Sequence, residues 1–212
     1  MALVKYNNNS ISAVTSTASM PSGALVPIKT LTASSSASLS FVHGSSDVVL
    51  DSTYPIYLFK FISIHPSTES GSPAFSVNFS TDSGSNYNVT KTTTVYAAYH
   101  KEDNSAAALA YRASDDLAQS TGFQILNTDS GAGNDESISG EMFLFNPSST
   151  TFVKHFMSNT NFYQVNDLSM NFYTAGYCNT TSAVDAVQFK FTIASSVNID
   201  SGKIKLYGIK DS

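Results

Sequence analysis

The chain has 212 residues, 42% of them hydrophobic, which is enough for one packed core without a metal or disulfide staple. Charged residues make up 13%, the net charge is −5 and Arg112 is the sole arginine, so no cation cluster exists to displace phosphate counterions and nucleic acid is excluded as the main partner. Cys178 is the sole cysteine, which rules out an intrachain disulfide, and no run approaches the roughly 20 apolar residues of a spanning helix.

Residues 1–37 stand apart from the rest. NNNS at Asn7–Ser10 and ASSSAS at Ala33–Ser38 are low-complexity, and apolar residues are sparse until Leu25. Such a segment buries too little surface to offset its chain entropy. It is expected to be an extended arm, either wrapped on its own domain or laid on another chain by strand addition. In the second case Leu3, Val4, Tyr6 and Ile11 are the candidate apolar anchors, with Asn7–Asn9 bonding backbone groups. Met1–Met20 lacks the apolar segment of a secretory signal, so synthesis and folding in a cytoplasm are expected. The sequons at Asn8, Asn78, Asn88 and Asn179 then read as chance.

Alternation of apolar and polar residues, the period of a strand, dominates the remainder, 38–212. Leu25–Thr32 already reads as a strand, and Leu39 and Phe41 share one face of the next. Ile56–Ile64 is apolar on both faces apart from Lys60 and Ser63, as a central strand should be. Phe75, Val77 and Phe79 alternate with Ser76, Asn78 and Ser80, as on a half-buried strand. Asp82–Asn86 is a turn into Tyr87–Thr94, which Val95–Tyr99 continues. Asn104–Ser120 reads as a long connection with at most one weak helix, and Gly122–Leu126 as a strand. Past the turn Asn127–Glu136, Ile138, Met142 and Leu144 mark the buried side of another strand, which Pro147 ends. Thr151–Met157, Met170–Tyr177, Val187–Ile193 and Lys203–Ile209 follow, with Val187, Phe189, Phe191 and Ile193 facing inward. Nine or ten short strands without crossover helices give an all-β fold, an antiparallel β-sandwich of jelly-roll type behind an extended N-terminal arm.

The chemistry is sparse. No nucleophile elbow, H-E-x-x-H motif or P-loop occurs, and His43, His65, His100 and His155 share no ligand spacing. No enzyme activity and no cofactor are expected. The loop Asp129–Glu136 is rich in oxygen ligands, and Asp129, Asn134, Asp135 and Glu136 would be its calcium ligands; it lacks EF-hand spacing, and a plain hairpin loop explains it equally. Cys178 follows Tyr177 in an apolar strand with no histidine or acid near it in sequence, the setting of an inert buried thiol. The 14 phenylalanines and 11 tyrosines leave aromatics over for a surface. Tyr96, Tyr99, Tyr111, Phe162 and Tyr163 are the candidates for stacking on a glycan, and packing in the core or a subunit interface is their commoner use.

The opening MALVKYNNNSISAVTS, with FKFISIHPST at Phe59–Thr68, DSGSNYNVTKTTT at Asp82–Thr94, FNPSST at Phe145–Thr150 and GKIKLYGI at Gly202–Ile209, resembles small structural proteins encoded by tailed bacteriophages, especially marine ones. The resemblance spans most of the chain and rests on strands and turns, so it transfers no functional residue. It implies a virion location after synthesis in the host cytoplasm. The expected role is a capsid decoration or cement-type protein held by its N-terminal arm. The alternative is a tail-fibre or tail-appendage component that binds a host surface glycan. Expected partners are its own copies, as a homotrimer, and the major capsid or tail proteins.

Overall fold

A computed structural model describes residues 24–194 and 196–211. The arm anchors Leu3, Val4, Tyr6 and Ile11 lie outside the described residues. Twelve strands and no helix are present among those described: β1 Leu25–Thr32, β2 Leu39–Val42, β3 Ile56–Pro66, β4 Ala74–Ser80, β5 Lys91–Lys101, β6 Ala107–Tyr111, β7 Gln124–Ile125, β8 Ile138–Phe145, β9 Lys154–Gln164, β10 Leu168–Cys178, β11 Ala186–Thr192 and β12 Ile199–Ile209.

They form two antiparallel sheets packed face to face, a β-sandwich. The larger runs β1-β12-β3-β8-β9-β10-β5-β6 and the smaller β2-β11-β4-β7. Four pairings nest inside one another along the chain: β1 with β12, β2 with β11, β3 with β8, and β4 with β7. The β5–β6 and β9–β10 hairpins lie within this nest and extend the larger sheet beyond β8.

Between the sheets lies a phenylalanine core. Phe41, Phe59, Phe61, Phe75, Phe79 and Phe189 are wholly or almost wholly buried. Phe189 on β11 is the hub, with ring centroids 5.4 Å from Phe59, 5.2 Å from Phe61 and 5.7 Å from Phe75. Edge-on and offset ring pairs of this kind add to the burial of area. The core also closes over β9, where Phe156 meets Phe79 at 5.0 Å.

Several expectations need correcting. Ile193 is 67% exposed, because β11 stops at Thr192 and Ile193 takes a positive φ of 73° in the following turn. Strand β4 is buried along all seven residues rather than on one face. Its polar side is roofed by neighbouring segments: the Asn78 Nδ2 donates to the carbonyls of Tyr87 and Thr121, and the Ser76 hydroxyl lies 2.6 Å from that of Thr192. Ala107–Tyr111 is a strand, not part of a helix, because pairing with β5 outweighs the weak helical preference of its alanines. Leu25–Thr32, assigned to the arm by the boundary at residue 37, is the edge strand of the larger sheet. Tyr96 and Tyr99 lie inside β5, and Asn159–Gln164 forms the last six residues of β9.

Candidate functional site

The face of the larger sheet turned away from the core carries one residue per strand in register. Lys60 on β3 pairs with Glu141 on β8, Glu141 with Asn159 on β9, Asn159 with Tyr173 on β10, Tyr173 with Tyr96 on β5, and Tyr96 with Tyr111 on β6. Their strand neighbours explain why they face outward. Phe59 and Phe61 flank Lys60, Val95 and Ala97 flank Tyr96, and Phe172 and Thr174 flank Tyr173, all of them buried. Alternation then turns the row to the other face.

Within the row the Tyr96 and Tyr173 rings stack at 4.8 Å and 13°. Tyr96 is 45% exposed and Tyr111 58%. Tyr111 donates its hydroxyl to Asp116, which holds the phenol proton and raises its pKa. Lys60 and Glu141 form an ion pair. A trough of about 450 Å³ lies along this part of the face, with Phe143, Phe145 and Met157 as its apolar wall and Tyr96, Tyr173 and Asn159 along the row. A second, more polar trough adjoins it; Glu141 and Asn159 line both, and Asn161 and Asn171 belong to the second. The side-chain oxygens Asn159 Oδ1 and Asn171 Oδ1 are buried and have no hydrogen-bond partner among the described residues. A buried acceptor left unpaired costs about 1–3 kcal/mol.

The five aromatic candidates divide between the two faces. Tyr96 and Tyr111 meet in the row, joined by Tyr173, which the sequence reading did not single out. Tyr163 lies on the same face at the far end, where its hydroxyl donates to Asp167 at 2.9 Å and its pKa is pushed up to about 12. Phe162 and Tyr99 do not belong to a surface site. Phe162 is 2% exposed and packs edge-on against Phe172, and Tyr99 packs partly buried against the core. The reason is parity. Tyr96 and Tyr99 are three residues apart on one strand, and Phe162 and Tyr163 are adjacent, so each pair is split between faces.

No group of three or more histidine, cysteine or acidic residues is placed to hold a metal among the described residues. In the acidic loop the Glu136 carboxylate turns inward to accept the Gly133 N–H. A Cβ on Gly131 would sit 2.2 Å from that carboxylate, so the glycine makes room for the turn. Three histidines hold structure: His43 Nδ1 accepts the Leu50 N–H at 3.1 Å, His65 meets the Gly133 carbonyl at 3.1 Å, and His100 meets Asn104 at 3.0 Å.

Cys178 has neighbours that the sequence reading missed. It pairs with Lys91 on β5 and Lys154 on β9, and all three side chains are fully buried. The Lys91 Nζ donates to Asn78 Oδ1 at 2.6 Å and the Val89 carbonyl at 2.7 Å, and Lys154 donates to the Thr180 carbonyl at 3.1 Å. Burial pulls Lys91 down to about 8, lowers Lys154, and pushes the Cys178 thiol up to about 12. The thiol therefore stays protonated and is a poor nucleophile. Parity was the available signal, since Lys91 shares it with Val95 and Lys154 with Phe156, both buried.

No protein-family model, curated protein or solved structure matches this chain.

Proposed function

We propose that this chain is a non-enzymatic structural protein displayed on the surface of a bacteriophage particle, and that its sandwich is a jelly roll. The observation that carries the reading is the nested strand pairing, β1 with β12 through β4 with β7. That order is the one a jelly roll makes by rolling up a long hairpin, an architecture shared by viral capsid and lectin domains. Fold alone leaves many functions open, so the phage assignment leans on the resemblance in strands and turns as well.

Two roles on the particle follow from different parts of the chain. In the decoration role, residues 1–23 grip the capsid, entering the sandwich at β1, the edge strand of the larger sheet. In the tail-appendage role, the protein touches a host glycan. The tyrosine row beside two unpaired asparagine oxygens favours this second role.

Immunogold labelling of purified virions separates the two, with label at tail tips supporting the appendage and label over the head the decoration. Virions without label overturn both. Deleting Met1–Ser22 is expected to leave a folded sandwich by circular dichroism that no longer joins virions. Incorporation at the normal copy number would move attachment onto the sandwich. A homotrimer is expected in solution, and light scattering that gives a stable 22.6 kDa monomer at micromolar concentration would overturn it.

A further inference from the structure

We infer that the outer face of the larger sheet binds an internal stretch of a linear, uncharged saccharide chain, lying across the strands along the row from Glu141 to Tyr111. This rests on the glycan-contact reading and specifies its ligand.

The first ground is spacing. The row places one side chain on each of five adjacent strands, β8, β9, β10, β5 and β6. Neighbouring strands are about 4.8 Å apart, close to the advance of one pyranose unit along a linear chain. Each strand can therefore present one side chain to one sugar unit, and a chain laid across the sheet stays in step with it.

The second ground is chemistry. A pyranose has an apolar C–H face and a hydroxyl-bearing rim. The site has the same division, with Phe143, Phe145 and Met157 on one side of the row and Asn161 and Asn171 on the other. Tyr96 covers one face of the Tyr173 ring and leaves the other toward Asn159, the next residue in the row. Asn159 Oδ1 and Asn171 Oδ1 are buried acceptors without donors. Both oxygens lie beneath the surface, so each amide must turn outward to accept from a sugar hydroxyl; an apolar protein partner would offer no donor at all.

The third ground is charge. Lys60 and Glu141, the charged members of the row, neutralise each other as an ion pair. No cation is left over in the row to select a sulfated or carboxylated sugar. The row also runs past the trough, to Tyr111 on β6, so a chain is not confined to its end unit.

Titration calorimetry of the full chain with neutral linear oligosaccharides tests this. The probes are glucan, mannan and xylan series of two to six units, with oligogalacturonate as the anionic control. Affinity is expected to rise with length and level off at about five units, one per strand of the row. Oligogalacturonate is expected to bind at least about tenfold more weakly. Tyr96→Ala and Asn159→Ala are each expected to weaken binding by about tenfold or more, with the melting temperature unchanged within a few degrees. Asn159→Asp retains the shape and adds charge, and is expected to fall between wild type and Asn159→Ala.

Binding of a two-unit sugar as tight as that of a six-unit one would overturn the inference in favour of chain-end recognition, and would leave the glycan reading standing. Preference for oligogalacturonate would overturn it in the same way. No binding to any of the four series would overturn the inference and the glycan reading together. If Tyr96→Ala then also dissolved an oligomer, the face would be an interface between copies of this chain.

Discussion

Replacing Phe189 by alanine is expected to lower the unfolding free energy by about 3–5 kcal/mol, the range for a large aromatic removed from a closed core. Phe189 touches rings from both sheets: Phe59 and Phe61 on β3, Phe75 on β4 and Phe41 on β2. None of these rings can collapse into the gap without leaving another contact, so most of the cavity persists. Against a typical domain reserve of about 5–15 kcal/mol, that is a large share of the total. Guanidinium unfolding of Phe189→Ala beside Phe152→Ala, whose ring is 70% exposed, is the direct measurement. The exposed control is expected to change by less than about 0.5 kcal/mol. Equal losses in the two variants would show that Phe189 is not at the centre of the core.

Stability is expected to rise as pH goes from 8 to 9, and Lys91 is the cause. Burial holds its folded-state pKa at about 8, against 10.5 for an ordinary lysine. Between those values the unfolded chain keeps a proton that the folded chain has released, so raising the pH favours folding. Below pH 8 both states are protonated and the folded protein carries the whole cost of an ammonium buried without a carboxylate. The gap corresponds to about 3 kcal/mol over the full window. Cys178 works the other way above pH 9. Its folded pKa is about 12 against 9.0, so the unfolded chain loses that proton first and stability falls. Tyr57, held up to about 12 chiefly by burial, adds to the fall above pH 10. Lys91 therefore outweighs Cys178 between pH 8 and 9, where the unfolded-state thiol is only partly ionised.

Lys91→Met is expected to remove the Lys91 share of that rise and leave only that of Lys154, whose pKa burial also lowers. It should also make the protein about 1–2 kcal/mol more stable at pH 7, since an apolar chain of similar volume often outperforms a buried charge. The gain is smaller than the full cost of the charge because the Val89 carbonyl loses its donor. Denaturant midpoints of both proteins at pH 7, 8 and 9 test this. A wild-type midpoint that stays flat while the methionine variant is less stable at every pH would show that Lys91 is held comfortably as a cation.

The sequence by itself determined the class of fold and the facing of single side chains. Phe75, Val77 and Phe79, and Val187, Phe189 and Phe191, alternate with polar residues, and all six are buried. A strand has a period of two whatever it pairs with, so local pattern suffices. The same rule could have divided Tyr96 from Tyr99 and Phe162 from Tyr163, and could have turned Lys91 and Lys154 inward.

Tertiary structure alone decided which distant residues share a row. Asn159, Tyr173, Tyr96 and Tyr111 come from four strands between residues 91 and 178, and nothing in their spacing aligns them. Register is chosen by which apolar faces close on the common core, a property of the whole sandwich. The same holds for Lys91 and Lys154 on either side of Cys178, and for the polar side of β4, which is buried because other segments roof it. Ile193 shows the converse. Its alternation continues past the point where β11 loses its partner, and a turn with φ of 73° carries it out to solvent.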